Sequence, residues 1–216
     1  MKKNNAFLWV GFGVFIIASV FGIIFLGAKT DKSSGLVSRE PQPISASDWI
    51  NGEMSAEVVI IEYSDFECPA CASYFPILKD LKEKFGSQIA VVYRHFPLTQ
   101  IHRNAELASL ASEAAGRQGK FWEMHDLLFE NQRNWSANFG AKEIFIGYAQ
   151  QLQLDEEQFI NDLDAKDLQD KVSASYREGV SIGIAGTPTF FLNGEKISNP
   201  RGYEEFERVI SEKLNQ

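Results

Sequence analysis

Two cysteines are the only thiols in a chain of 216 residues, and they stand three positions apart in Glu62-Tyr63-Ser64-Asp65-Phe66-Glu67-Cys68-Pro69-Ala70-Cys71. One helical turn brings sulfurs at this spacing within bonding distance, which suits a dithiol/disulfide couple. Cys68 falls where a helix opens, with Pro69 favourable at the first helical position and Ala70 following. Unpaired backbone N–H groups there favour a thiolate and lower its pKa from about 8.5 into roughly 3.5–7.5. Cys68 is therefore expected to be the exposed nucleophile, and Cys71, one turn inward, the shielded partner that resolves a mixed disulfide. Asp65 and Glu67 are expected to oppose part of the depression. The alternatives for CPAC are half a zinc or iron–sulfur site, a haem attachment or a structural disulfide. A closed zinc site takes four ligands, and His95, His102 and His125 are unhelpfully spaced, so no metal is expected. A haem attachment takes His after Cys71, where Ala72 stands, and a disulfide across two residues closes too short a loop to stabilise much.

Glu62 lies inside the apolar run VVIIEY. If desolvated there, its carboxyl would have a raised pKa and could exchange a proton with the inner sulfur; a strand-end acid reaching solvent is the other reading. Thr187-Pro188 follows Gly186 and precedes an apolar strand, and context alone leaves its isomer open. Arg94 and His95 read as a solvated strand end, Phe121, Trp122, Trp135 and Phe139 as core of a helical subdomain, and Asp155 to Asp170 as a solvated acidic face.

The elements that must position these residues follow from periodicity. Val58 to Tyr63 reads as a central strand covered on both faces, Pro69 to Gly86 as a helix kinked at Pro76, and Ile89 to Phe96 as a second strand, parallel to the first through a right-handed crossover. Five helices follow, over Asn104–Arg117, Lys120–Glu130, Lys142–Leu152, Glu156–Leu163 and Lys166–Gly179. Thr189–Leu192 and Glu195–Ile197 form a hairpin around Asn193-Gly194, and Tyr203–Leu214 is a closing amphipathic helix. Ser47-Asp48-Trp49-Ile50 reads as the capped start of a short helix. The order is that of an α/β thioredoxin fold with a helical domain inserted over about 101–180, within a unit spanning residues 46–216.

Ahead of it, Ala6 to Ala28 is an uncharged apolar run of 23 residues that rises about 35 Å as a helix, enough to span a membrane core. A cleaved signal peptide is the rival, but its core is usually about 7–15 residues and Leu26 stands where a small residue is wanted. Residues 1–28 therefore read as a cytoplasmic tip and transmembrane anchor, and residues 29–45, polar and proline-containing, as a linker. Lys2, Lys3 and the terminal amine place the short end inside, against the weaker pull of Lys29 and Lys32. The catalytic body then lies outside the cytoplasm, at a periplasm or cell surface, where disulfides persist. The formal net charge is −8, and the body without Lys2 and Lys3 is more acidic still, so nucleic acid is excluded as a partner class.

EYSDFECPAC, followed by YRHFPL, GKFWEMHDLLFENQ and GTPTFFLNG, closely resembles the DsbA-like branch of thioredoxin-fold disulfide oxidoreductases from about Trp49 to the carboxyl terminus. The resemblance implies Cys68 as nucleophile, Cys71 as resolving cysteine, Glu62 as the buried acid six residues before Cys68, and Pro188 as a cis-proline facing the disulfide. Thr187 and Pro188 would offer backbone hydrogen bonds to an extended substrate peptide. It further implies reduced or misoxidised exported polypeptides as substrates, no cofactor beyond the redox-active Cys68–Cys71 disulfide, and re-oxidation by a quinone-linked membrane partner of the DsbB or vitamin K epoxide reductase type. Strongly oxidising members carry His where this chain has Ala70, and many carry Val where it has Thr187; a threonine there is similar to the isomerase relatives. Oxidase is the preferred direction, with a reductase or isomerase, or a peptide-binding module with a structural disulfide, as alternatives.

Overall fold

The structure, a computed structural model, describes residues 40–216. The expected membrane anchor over Ala6–Ala28 and most of the linker lie outside the described residues. Among the described residues no helix is long and apolar enough to cross a membrane.

A five-stranded mixed sheet organises the chain, in the order β1-β3-β2-β4-β5. β2 (Val58–Ser64) and β3 (Ile89–His95) pair in parallel from Val58↔Ile89 to Ser64↔His95. β4 (Thr189–Leu192) runs antiparallel to β2 on its other edge, and β5 (Glu195–Lys196) folds back on β4. The turn between them takes positive φ at Asn193 (48°) and Gly194 (86°), as a two-residue hairpin demands. With both edges paired and both faces covered, β2 is the apolar strand its β-branched run predicts.

One face packs Val58, Ile60, Val91 and Phe190 against Leu78 and Leu81 of α1 (Pro69–Phe85) and Phe206 and Ile210 of α8 (Tyr203–Leu214). Pro76 lies inside α1, which continues through it. The other face sets Ile61, Tyr63, Val92 and Phe96 against Tyr176 of α7 (Lys166–Ser181). Gly179 of α7 lets Phe96 come so close that a Cβ there would sit 2.7 Å from its ring.

Between β3 and β4 the chain forms α2 (Ala105–Arg117), α3 (Phe121–Glu130), the single turn α4 (Gln132–Trp135), α5 (Ala141–Gln151), α6 (Glu156–Leu163) and then α7. Their apolar faces close around Phe121, Met124, Leu128, Trp135, Phe145 and Phe159, and the cluster they build extends to Phe66, Cys68, Cys71 and Tyr93. The helices thus do more than stand beside the sheet. They roof the cysteines.

Three expectations are corrected. Ser47-Asp48-Trp49-Ile50 opens no helix: Trp49–Asn51 is β1, an edge strand antiparallel to β3. The Asp48 carboxylate is held by Arg94 Nε at 2.8 Å, and the Trp49 ring stacks on Phe121 with centroids 4.4 Å apart. Phe139 is 86% exposed rather than core, with the Arg103 guanidinium 3.8 Å above its ring. Asp155 to Asp170 is not one solvated face but parts of α6 and α7, with Phe159 and Leu163 inward and Asp162 buried against Arg117.

Candidate active site

β2 ends at Ser64, and Asp65-Phe66-Glu67 carries the chain to Cys68, the extended residue (φ −72°, ψ 121°) that precedes α1. Proline at the next position fits because its missing N–H is one that a helix start leaves unpaired. Both cysteines are thiols. Cys68 is 7% exposed and Cys71 has no exposure, so the order of access is the expected one, although Cys68 is a nearly covered nucleophile rather than an open one.

The loop is held by side chains from distant elements. Asp65 Oδ1 accepts from the Glu67 amide at 2.8 Å, and its Oδ2 accepts from the Leu98 amide at 2.8 Å and lies 2.7 Å from His102 Nδ1. Glu67 accepts from the amides of Asn104 and Ala137. Gln132 Nε2 donates to the carbonyls of Phe66 (2.7 Å) and Cys68 (3.0 Å). Thr187-Pro188 is cis, and the Thr187 carbonyl lies 3.5 Å from Cys68 Sγ. Asn199 Nδ2 donates to the Pro188 carbonyl at 2.8 Å, leaving the Thr187 carbonyl as the acceptor that faces the thiol.

Electrostatics divide the two sulfurs. The Cys68 thiol is pulled down to about 5, first by hydrogen bonding with Cys71, then by Thr187 and the backbone N–H groups of Cys71 and Ala70, with burial opposing. The Thr187 hydroxyl is buried without a partner while Cys68 is a thiol, so it is available to a thiolate. Asp65 and Glu67, expected to oppose the depression, are engaged by hydrogen bonds from Leu98 and His102 and from Asn104 and Ala137. Burial pushes Cys71 well above its ordinary value, with its hydrogen bond to Cys68 and the charges of Glu62 and Cys68 adding. Glu62 is buried, and burial raises its carboxyl to about 7, against the Ser64 hydroxyl that donates to Oε1 at 2.7 Å.

The structure therefore brings Cys68, Pro69, Ala70, Cys71, Glu62, Thr187 and Pro188 into one region. Arg94 and His95 are not a solvated strand end. Arg94 is buried between Asp48 and the Tyr63 hydroxyl, and His95 lies 3.0 Å from the buried Glu113, which Lys171 also reaches. Gln132, Asn199 and the loop-bracing roles of Asp65 and Glu67 went unread in the sequence. Only the FENQ run hinted at Gln132, since nothing local says where an amide side chain points.

A family model described as Thioredoxin matches residues 45–212. Among curated proteins the chain is 38% identical over 164 residues to a Na(+)/H(+) antiporter NhaA 1 of Salinispora arenicola, covering 76% of this chain and 24% of that protein. It is 37% identical over 158 residues to a Na(+)/H(+) antiporter NhaA of Herminiimonas arsenicoxydans, covering 73% and 24%. The chain thus spans about a quarter of the length of these curated relatives. Solved structures share the fold: oxidised BdbD from Bacillus subtilis (TM-score 0.70, 24% identity, 82% of this chain and 98% of that one) and alpha-DsbA1 from Wolbachia pipientis (0.71, 21%, 80% and 93%). A protein-disulfide isomerase from Novosphingobium aromaticivorans is similar at TM-score 0.66 and 16% identity, over 80% of this chain and 100% of that one.

Proposed function

From the thioredoxin family, to which this chain belongs, we propose that it is a thiol–disulfide oxidoreductase that introduces disulfides into exported polypeptides through the Cys68/Cys71 couple. The observation that carries the reading is the pairing of a thiol at the N-terminal boundary of α1, 3.5 Å from the Thr187 carbonyl, with a fully covered second thiol and a buried carboxyl behind it.

In the oxidising direction a substrate thiolate attacks Cys68 of the protein disulfide. The Cys68–Cys71 bond breaks, a Cys68–substrate bond forms, and Cys71 leaves with the electron pair. Glu62, half protonated near pH 7, supplies the proton that Cys71 then holds. A second substrate thiolate attacks the substrate sulfur and releases Cys68 as a thiolate. The substrate is oxidised by two electrons and the protein couple is reduced by two. The Thr187 carbonyl accepts an amide of the extended substrate, a short strand addition.

A low Cys68 pKa favours this direction because a thiolate held by hydrogen bonds stabilises the reduced enzyme. The reverse reading, reductase or isomerase, is favoured by Ala70 and Thr187. In the full reading residues 1–28 tether the domain outside the cytoplasm and a quinone-linked membrane protein re-oxidises it.

Two measurements test this. Wild type is expected to oxidise a reduced, unfolded protein and Cys68→Ser to fail; equal rates overturn the redox role. A reduction potential close to roughly −270 mV, the cytosolic thioredoxin range, overturns the oxidase direction alone.

A further inference from the structure

Cys68 stands between two flanks of the start of α1. On one flank the Tyr74 hydroxyl donates to the Pro200 carbonyl at 2.7 Å, and the neighbouring Asn199 holds the cis-proline loop through the Pro188 carbonyl. On the other flank Phe75 stacks on Phe129 of α3, and between the first turns of α1 and the junction of α3 with α4 opens a cleft of about 460 Å³. Pro69, Ala72 and Ser73 form one wall, and the segment from Phe129 to Asn134 forms the other. The cleft adjoins the nucleophile directly, because Gln132 in its wall donates to the Cys68 carbonyl at 3.0 Å and Pro69 follows Cys68 in the chain. Pro69 and Ala70 are exposed, and the Ala70 methyl sets little bulk beside the thiol. The exchange steps at Cys68, Cys71 and Thr187 leave this cleft unused.

Its polar groups differ in how they are engaged. Glu130, the one carboxylate lining the cleft, lies 3.4 Å from Lys79 Nζ; Asn131 Nδ2 donates to the Leu127 carbonyl, and Ser73 Oγ to the Ala70 carbonyl. Arg133, next to Gln132 and exposed, has a guanidinium with no carboxylate, carbonyl or ring partner among the described residues. A guanidinium presents its N–H donors as a planar fork that matches a carboxylate. A cleft of this volume is in the range that seats a small ligand or a few side chains.

We propose that the cleft is a second substrate subsite and that Arg133 selects cysteine-bearing polypeptides with an acidic side chain on one side of the reacting cysteine. The inference rests on the thiol–disulfide reading above. A substrate strand paired with the Thr187 carbonyl on one flank crosses Cys68 and leaves over Pro69 into the cleft on the other, where its carboxylate meets Arg133. No covalent bond forms or breaks at Arg133. The contact is made before and during exchange alike, so it acts on the concentration needed for saturation rather than on the limiting rate. The net charge of −8 repels acidic peptides at a distance, so a preference for them confined to one side of the cysteine has a local source.

The test uses the reduced full chain and peptides whose single cysteine is capped as a mixed disulfide with thionitrobenzoate. Cys68 attacks the peptide sulfur and releases thionitrobenzoate, which is read by absorbance. Cys71 then attacks Cys68 and releases the peptide thiol, so the protein couple is oxidised by two electrons and the peptide disulfide reduced by two. The peptides carry Glu, Gln or Lys at each of the first four positions before and after the cysteine, a reach of about 13 Å of extended chain. Glu on one side of the cysteine is expected to raise the second-order rate roughly three- to tenfold over Gln at low salt, with the limiting rate unchanged, and the gain to fade at about 0.5 M salt. Arg133→Gln is expected to erase the preference, Arg133→Lys to keep part of it, and Arg133→Glu to turn it towards the Lys peptides. Because Arg133 is exposed and unpartnered among the described residues, these variants keep the fold. Equal wild-type rates for Glu and Gln at every position, a preference alike on both sides, or one that survives Arg133→Glu overturns the subsite while Cys68 chemistry stands. Release of thionitrobenzoate by Cys68→Ser at the wild-type rate instead removes the thiol–disulfide reading itself.

Discussion

Cys68, just before α1, and Cys71, inside its first turn, carry the same side chain, yet burial and hydrogen bonding drive their thiols in opposite directions, one down to about 5 and the other well up. Glu62 carries the clearest consequence for stability. Its folded pKa of about 7 lies above the ordinary 4.5, so the native state holds a proton that the unfolded chain releases, and stability is full below pH 4.5 and lost as pH rises through 7. Glu62→Gln is therefore expected to leave stability unchanged at pH 4 and to raise it by roughly 3 kcal/mol at pH 8, read by denaturant unfolding of the reduced protein. No gain at pH 8 contradicts the buried carboxyl. CPAC was legible as a local pattern, whereas the acid within VVIIEY left burial and solvent exposure open until the resemblance implied the buried one. Arg94 and His95 were not legible, because whether a strand end meets water depends on Asp48 and Glu113, far away in the chain, which cover it.

At the scale of elements, strands and long helices follow from period and punctuation, whereas edges and single turns depend on partners. β1 holds three residues, too few for a periodic signal, and exists because β3 has an open edge and because Phe121 and Gly116 make room for Trp49. α4 is one turn long, yet it delivers Gln132 to two loop carbonyls and Trp135 to the helical core. Gln132→Ala leaves the Phe66 and Cys68 carbonyls without that donor. It is expected to cost about 1–3 kcal/mol in thermal unfolding and to loosen the start of α1, seen as a rise in the Cys68 pKa followed by alkylation. An unchanged Tm and an unchanged alkylation profile remove the bracing role. Phe139 was misread for the complementary reason: an aromatic residue in a helical block reads as core, but its ring is turned outward beneath Arg103.

For the whole molecule, the helical block and the sheet enclose the redox centre together, since the cluster that fills the helices also contains both cysteines and Phe66. Its periodicity pointed to a subdomain; that it would roof the site depends on Phe66, from the loop after β2, and Tyr93, from β3, packing into it. In either direction of exchange Cys68 is the sulfur that bonds to the substrate and Cys71 its covered internal partner. The most direct measurement is covalent trapping: full-length Cys71→Ser and Cys68→Ser variants are each mixed with a disulfide-bearing unfolded protein and separated without reductant. Cys71→Ser is predicted to accumulate a mixed disulfide through Cys68 that thiol reductant releases, and Cys68→Ser to accumulate none. Equal trapping by both variants, or none by either, contradicts the assignment.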